Sequence, residues 1–402
     1  MKGNAESLIA EYCVVYFGND WNAENRTSSH HIASRLKGKV NMLYVDSPGL
    51  RAPQVSGRDF RKIFRKLFQT IAKPESIGEL GWRCTIPQLP FRKFPGVSAF
   101  NQMFARLAVK RALRLCGLSS QPVILWFVVP HPGFLVGQLG EKFVVYYCID
   151  DYAAHPGMDV KVVANMDRQL TENANRVFVA PPSLVEGKRA KNARTTFSPH
   201  GVDVELFGQV NDPNLTMPDE LRELPRPVIG FFGLVADWID TELIEAVARS
   251  IPHGTILLVG HESTDTSRLK KLTNVKFVGP KPYQELPRWA KSFDVAMIPY
   301  RLTQQVKNAN PLKLREYLAT GIPIVAVSNP EIEKFADHVY IATDASDFVK
   351  GIHVVMEGDS SIKRRLRISS VSNMSWDQRV NETLNVVNSD LKELTSSPSH
   401  RL

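Results

Sequence analysis

The amino-acid sequence predicts an α/β protein in which two doubly wound domains follow one another along the chain. Short apolar segments, rich in β-branched and aromatic residues, alternate with helical patterns, and these segments are continuously apolar. Strands of that kind are typical of parallel sheets covered on both faces. The alternation stops at a polar, proline-containing stretch, residues 207–226, and then starts again. A length of 402 residues accommodates two such domains.

The elements follow from this pattern in chain order. In the first half, the predicted strands are 12–17, 40–45, 123–129, 143–149 and 176–180, and the predicted helices are 28–36, 105–115, 160–175 and 183–191. In the second half, the predicted strands are 228–232, 255–260, 275–279, 295–300 and 322–327, and the predicted helices are 241–250, 286–291, 311–320 and 346–357. A last helix is predicted at 375–394. We therefore predict a first domain at 1–206, a linker at 207–226, a second domain at 227–374, and a helix with a tail at 375–402. Open sheets of this type bind ligands at the carboxyl ends of their strands, so two facing domains would form a cleft.

Charge is concentrated in one part of the sequence. The formal net charge is +9, whereas residues 51–114 contain fourteen Lys or Arg against three acidic residues, a net of +11. An anionic partner for one patch is the simplest interpretation.

Composition predicts a cytoplasmic protein without a membrane span. Glu6 and Glu11 interrupt the segment where a signal peptide would need an apolar run. The dense apolar part of the longest uncharged stretch, VILWFVV, is only as long as a strand. The four cysteines show no metal or redox spacing, which indicates free thiols in a reducing compartment.

Dinucleotide cofactors are disfavoured. The motif G-x-G-x-x-G should directly follow a strand, but the first strand is followed by GNDWNAENRTSSHH and the first strand of the second domain by GLVADWID. Each turn holds a single glycine, which is Gly233 in the second domain.

The most specific motif is NANPLKLREYLATGIPIVAV, residues 308–327. Pro311 suits the first turn of a helix, and Asn310 is predicted to be its N-cap. Lys313 and Glu316 are three residues apart, so they share a helix face near the carboxyl edge of the sheet. An isolated Lys and Glu at this spacing are usually solvated. The whole motif, placed between two strands, is a far more specific signal than that pair alone.

This string resembles the donor-binding signature of GT-B glycosyltransferases of the family-four (group 1) type. FSPHGVDVELF, VIGFFGLVADWID and NVKFVGPKPYQELPRWAKSFDVAMIPY resemble further segments of that family, and the match is strongest over residues 140–330. The resemblance implies two Rossmann-like domains facing across a cleft, with the last helix crossing back to the first domain. It also implies a nucleotide-sugar donor, with UDP- or GDP-sugars favoured, and no bound metal or other cofactor.

The resemblance also implies roles for individual residues. Glu316 would hold the ribose hydroxyls, Lys313 and the Gly233 turn would face the diphosphate, and Tyr300 or the loop 279–286 would border the base. The predicted donor-binding residues are Gly233, Tyr300, Asn310, Pro311, Leu312, Lys313 and Glu316. Asn308 replaces a second glutamate found in many members, so retaining and inverting mechanisms both stay open.

Candidate catalytic residues follow two strands of the first domain. Asp150 and Asp151 come directly after FVVYYCI, and either would serve as the general base of an inverting enzyme. The alternative is that the two aspartates cap or anchor the loop. His131, at the end of VILWFVVP, either contacts the sugar or phosphate or is structural.

A basic amphipathic helix is predicted in GRDFRKIFRKLFQTIAK, residues 57–73. Its apolar stripe is surrounded by Arg58, Arg61, Lys62, Arg65 and Lys66. This pattern suits an anionic membrane surface, or else packing on the protein core. Arg106, Lys110, Arg111 and Arg114 add a second basic face. No nucleic-acid-binding signature is present.

The predicted function is transfer of a sugar to a lipid-linked or glycan acceptor in surface polysaccharide synthesis, at the inner face of the cell membrane. Two alternatives remain at this stage. One is a nucleotide-sugar epimerase of the same fold, which would need no acceptor site. The other is a non-catalytic relative that binds a nucleotide sugar or a membrane partner.

Overall fold

The computed structural model describes residues 8–23, 26–47, 73–86, 97–155 and 157–396. Within these residues the chain divides into two compact units. The first unit comprises residues up to 23, 27–199 and 379 onward, and the second comprises Arg26 and residues 200–378. Residues 207–226, predicted as a linker, are therefore part of the second unit, where Phe207 is fully buried.

The first unit is built on an eight-stranded sheet. Its strands are β1 Cys13–Gly18, β2 Asn41–Asp46, β3 Glu75–Gly78, β4 Gly81–Thr85, β5 Val123–Phe127, β6 Phe143–Cys148, β7 Arg176–Val179 and β8 Thr195–Phe197. The spatial order is β3-β4-β2-β1-β5-β6-β7-β8, and only β3 is antiparallel to its neighbour. Without β3, the parallel strands have the order of a Rossmann-type doubly wound sheet.

The helices of the first unit connect these strands. They are α1 Ser28–Leu36, α2 Val97–Leu115, α3 Val160–Asn173 and α4 Val185–Arg189. The predicted bounds of α1 are confirmed, whereas α2 begins eight residues before the predicted 105. The strands β1, β5 and β6 are buried at every position, as their continuously apolar sequences predict.

The second unit repeats the same topology with a six-stranded parallel sheet. Its strands are β9 Val228–Phe232, β10 Thr255–Val259, β11 Val275–Phe277, β12 Val295–Ile298, β13 Ile324–Val327 and β14 Tyr340–Ala342. The order β11-β10-β9-β12-β13-β14 is that of a Rossmann-type sheet. Alternate residues of β9 enter two separate apolar cores, with Phe232 on one face and Phe231 on the other. Both faces of the sheet are therefore covered, as a parallel sheet requires.

The helices of the second unit complete the two layers. They are α5 Val204–Gly208, α6 Thr241–Ser250, α7 Leu286–Ala290, α8 Gln304–Asn308, α9 Leu312–Thr320, α10 Pro330–Glu333, α11 Ala345–Glu357 and α12 Ser361–Ser370, followed by α13 Trp376–Ser396. Trp376 is 1% exposed and packs on the segment around Gly201, where an added Cβ would lie 2.8 Å from the Trp376 Cα. From residue 379 onward, α13 belongs to the first unit, where Asp390 forms a two-pronged ion pair with Arg176.

Candidate functional site

The topology of the second unit places its switch point between β9 and β12. These two strands are neighbours in the sheet, and their connections leave in opposite directions. Such a point leaves a crevice at the carboxyl ends of the strands. Gly233 directly follows β9 and Tyr300 lies two residues beyond the end of β12, so both are at this edge.

The turn at Gly233 requires a residue without a side chain. Its φ is +140°, in the region that favours glycine, and its N–H donates to the carbonyl oxygen of Val259 over 2.8 Å. Gly260, after β10, has a φ of +152°, and a Cβ there would lie 1.9 Å from the Gly233 carbonyl oxygen. The two turns thus pack backbone against backbone at this edge of the sheet.

The helix α9 begins at the same edge, since it connects β12 to β13. Its first helical residue is Leu312, and its N-cap is Pro311, which makes no side-chain capping bond. The prediction that Asn310 is the N-cap is wrong, because the Asn310 side chain instead accepts a hydrogen bond from the Arg315 guanidinium. The first amides of α9 have no partner within the helix, so its amino end carries partial positive charge.

Lys313 and Glu316 form an ion pair on the first turns of α9. The Lys313 Nζ lies 2.9 Å from the Glu316 Oε2, and the two side chains are only 20% and 4% exposed. The Lys313 Nζ also lies 5.0 Å from the centroid of the Phe232 ring, at the end of β9. A Cβ at Gly233 would come within 2.9 Å of the Lys313 Cε. Gly233, Lys313 and Glu316 are therefore brought together in one place.

Two tyrosines border this pair. The backbone N–H of Phe232 donates to the Tyr317 hydroxyl over 2.9 Å, and the two rings meet edge to face with centroids 4.6 Å apart. Burial, followed by the charge of Glu316, raises the pKa of Tyr300, and burial raises that of Tyr317. Both hydroxyls are therefore neutral at physiological pH. Tyr317 was not among the predicted site residues, although its position directly after Glu316 in the motif was the available signal.

A buried ion pair supports α9 from behind. Arg315 is 3% exposed and its Nη2 lies 3.1 Å from a carboxylate oxygen of Glu331, which is 2% exposed. Because Asn310 is also bound to Arg315, the segment before α9 is fixed to the side of the helix that faces away from Lys313. This places Asn310 in a supporting position.

In the first unit, Asp150 and Asp151 lie at the carboxyl end of β6. Both carboxylate oxygens of Asp150 are engaged, because Oδ1 accepts the N–H of Asp151 over 2.8 Å and Oδ2 lies 2.9 Å from the His155 Nε2. The Asp151 carbonyl accepts the N–H of Ala154, which closes a short 3₁₀ turn. Asp150 thus anchors this loop.

His131 follows β5, the neighbour of β6, and is 4% exposed at the start of a 3₁₀ turn, His131–Leu135. This turn borders a cavity of about 520 Å³ between α2 and α3. The polar residues of the cavity wall are uncharged and mostly carboxamides, namely Ser98, Asn101, Gln102, Asn165, Gln169 and Asn173. A wall of this kind offers hydrogen bonds of both senses without favouring either charge.

The residues of the predicted membrane patch lie outside the described residues; they are Arg58, Arg61, Lys62, Arg65 and Lys66. Across the part of the chain that is described, no helix is both long and apolar enough to cross a membrane. The same residues contain no group of three or more His, Cys, Asp or Glu side chains arranged to hold a metal ion.

Part of the second unit matches a known protein family, and most of the chain is similar to one named protein. Residues 226–357 match the family described as glycosyl transferases group 1. TuaH of Bacillus subtilis (strain 168), which is named as a glycosyltransferase of teichuronic acid biosynthesis, is 25% identical over 349 residues, covering 75% of this chain and 87% of TuaH. The matched family region contains the whole Gly233–Glu316 cluster.

Solved structures share the fold over nearly the whole chain. Sucrose-phosphate synthase from Thermosynechococcus elongatus superposes with a TM-score of 0.68 at 14% identity, covering 96% of this chain and 100% of that one. Anabaena HepE, solved with UDP-glucose, has a TM-score of 0.64 at 12% identity, covering 94% of this chain and 99% of HepE. These structures confirm the predicted GT-B fold. The family match and the similarity to TuaH confirm the predicted resemblance to group 1 glycosyltransferases and the predicted enzyme class.

Proposed function

We propose that this chain, a glycosyltransferase related to group 1, transfers a sugar from a UDP-sugar to an acceptor in the synthesis of a surface polysaccharide. The observation that carries the proposal is the Lys313–Glu316 pair, held beside the Gly233 turn at the switch point of the second unit. UDP is favoured over GDP because HepE, which shares the fold, was solved with UDP-glucose. The polysaccharide role is supported by the similarity to TuaH.

In this proposal the donor replaces the ion pair between Lys313 and Glu316, so that each side chain binds a group of the donor instead. The Glu316 carboxylate accepts the two ribose hydroxyls, which are donors at the spacing of its two oxygens. Lys313 turns to the diphosphate, together with the first amides of α9 and the Gly233 turn. Pro311 and Leu312 set the start of the helix and so the direction of those amides. Tyr300 borders the base, and Asn310 acts through Arg315.

The transfer itself forms a bond between an acceptor oxygen and the anomeric carbon of the sugar. The bond from that carbon to the β-phosphate oxygen breaks, and UDP leaves with an additional negative charge. Lys313 and the amino end of α9 neutralise that charge, so the proposal includes no metal ion.

For an inverting reaction, the acceptor hydroxyl gives its proton to a carboxylate of the first unit. We propose Asp151 or Asp150 for this role, because both directly follow β6 at the carboxyl edge of the sheet of the first unit. The cavity beside the His131 turn has both apolar and polar lining residues, and its polar ones, mostly carboxamides, suit a hydroxyl-rich acceptor chain. The acceptor in the proposal is lipid-linked or a glycan. The enzyme would work as a peripheral protein at the inner face of an anionic membrane, without nucleic acid.

The experiment is a calorimetric and thermal-shift panel of UDP, GDP, ADP, CMP and dTDP with the full chain. We expect UDP to stabilise the protein and to bind Lys313→Ala about 10- to 100-fold more weakly, since a charge-assisted contact contributes about 1.5–3 kcal/mol. Lys350→Ala is the control, because it removes the same charge from an exposed position on α11. Equal UDP affinity for Lys313→Ala and the control would refute the donor site. Tighter binding of another nucleotide would refute the choice of base.

A further inference from the structure

The helix α2 of the first unit exposes an apolar face. Its inner face is formed by Asn101, Ala105, Val109, Ala112 and Leu113, which are buried. On the opposite face, Phe100, Met103, Phe104 and Leu107 are 36%, 49%, 37% and 49% exposed. Their spacing of three and four residues aligns them in one row. A soluble surface seldom shows four large apolar side chains in a row without a binding role.

The four side chains form a compact group rather than scattered contacts with solvent. The rings of Phe100 and Phe104 lie with centroids 4.1 Å apart, so they present one continuous aromatic surface. The same row continues toward the carboxyl end of α2 with Lys110, Arg111 and Arg114, which are exposed, and Arg106 lies beside it. The whole helix, VSAFNQMFARLAVKRALRL, contains no acidic residue.

We infer that this outer face of α2 docks into the headgroup layer of an anionic membrane, with Phe100, Met103, Phe104 and Leu107 entering the acyl boundary. The positive charge beside the apolar group favours a membrane over a second protein. A protein partner would have to provide both an apolar hollow and an acidic rim, whereas an anionic bilayer always has an apolar acyl layer beneath negatively charged headgroups. The inference rests on the peripheral location in the proposed function. It identifies described residues that would produce that location.

The arrangement along the helix gives the docking an orientation. The 19 residues of α2 span about 28 Å, with the apolar group in the amino-terminal half and most of the positive charge in the carboxyl-terminal half. The amino-terminal half therefore enters the boundary, while the Lys and Arg side chains extend to the phosphates. We therefore expect an electrostatic contribution to membrane binding, which salt weakens, and an apolar contribution, which salt does not screen.

The test is co-sedimentation of the full chain with vesicles of phosphatidylcholine alone or of equal parts phosphatidylcholine and phosphatidylglycerol. We expect wild type to bind the anionic vesicles, and Phe100→Gln with Phe104→Gln to bind them at least about tenfold more weakly, at low and high salt alike. Lys110→Gln with Arg114→Gln should weaken binding mainly at low salt. Met103→Gln with Leu107→Gln provides a second, independent reduction of the apolar face.

The control is Ile362→Gln with Leu366→Gln on α12. These two residues are 61% and 49% exposed, have the same spacing as the phenylalanines and also lie among basic residues. Retained binding in this control, with UDP-induced stabilisation unchanged in all variants, supports docking through α2.

Other outcomes would contradict the inference. An equal loss of vesicle binding in the control would overturn the assignment to α2, as would failure of the wild type to bind anionic vesicles. Conversion of an oligomer to a monomer by the phenylalanine variant, with vesicle binding intact, would show a protein interface instead. Vesicle binding without nucleotide binding would refute the donor site but not the docking surface.

Discussion

At the residue scale, the candidate site contains two charged side chains, Lys313 and Glu316, for which we propose different contacts with the donor. Lys313 and Glu316 are bound to each other, and little of either side chain is exposed. Mutual pairing keeps both side chains ordered and prevents an unpaired charge on a largely buried side chain. A donor that replaces each partner with a group of matching charge or hydrogen-bonding sense then binds with little rearrangement.

The two proposed contacts predict that variants of Glu316 and Lys313 differ in their effect on nucleoside and nucleotide binding. Glu316→Gln should weaken uridine and UDP binding by the same factor, about 10- to 100-fold, because the ribose contact is common to both ligands. Lys313→Ala should weaken UDP binding alone, since uridine has no phosphate. Calorimetric titration of both ligands measures the two ratios, with Glu357→Gln, at an exposed position on α11, as the control. A selective loss of UDP binding in Glu316→Gln would contradict the ribose role.

At the element scale, the position of α9 is fixed by a buried ion pair between Arg315 and Glu331, on the side of the helix that faces away from Lys313. Arg315 links Asn310, before the helix, to Glu331 on α10, and both members of the ion pair are almost completely buried. Removing one member leaves the other charge uncompensated, which costs about 3–5 kcal/mol. We therefore expect Glu331→Gln to lower the free energy of unfolding by an amount in this range and to weaken UDP binding secondarily.

Urea denaturation and UDP titration measure both effects. Glu172→Gln on α3 is the comparison, because the Arg168–Glu172 pair has side chains 46% and 40% exposed and should change stability by less than about 1 kcal/mol. If the two variants lose similar stability, α9 is not held by the Arg315–Glu331 pair.

How far the sequence predicts these elements depends on the range of the interactions that form them. Continuously apolar strands such as β5 and β6 are predicted correctly, because burial on both faces is visible in each segment alone. The hairpin of β3 and β4 was missed, since its residues are mostly exposed or half-buried and show no apolar run. Asn310 was misplaced as the N-cap because its partner, Arg315, is itself positioned by Glu331, sixteen residues further along. The cluster of Gly233 with Lys313 was predictable only through the family motif, since the two residues are eighty positions apart in sequence.

At the scale of the whole molecule, each unit has its own sheet and apolar cores, and each is completed by residues from the end of the chain. In the second unit this residue is Trp376, which packs on Gly201. In the first unit it is Asp390, whose two oxygens each lie 2.6 Å from a nitrogen of Arg176, 214 positions earlier. Units with separate cores can unfold in separate transitions.

This organisation predicts that two perturbations act on different transitions. UDP should raise the temperature of the transition of the second unit, where we propose the donor site, by the mass-action stabilisation that any native-state ligand produces. Asp390→Asn should lower the other transition, because the Asp390 side chain is 4% exposed and its loss of charge leaves Arg176 without its ion pair. The expected cost is about 3 kcal/mol or more. Scanning calorimetry with and without UDP measures both shifts, and Asp377→Asn, at the start of α13 but in the second unit, is the matched control. A single transition that UDP raises and Asp390→Asn lowers would show instead that the two units unfold as one.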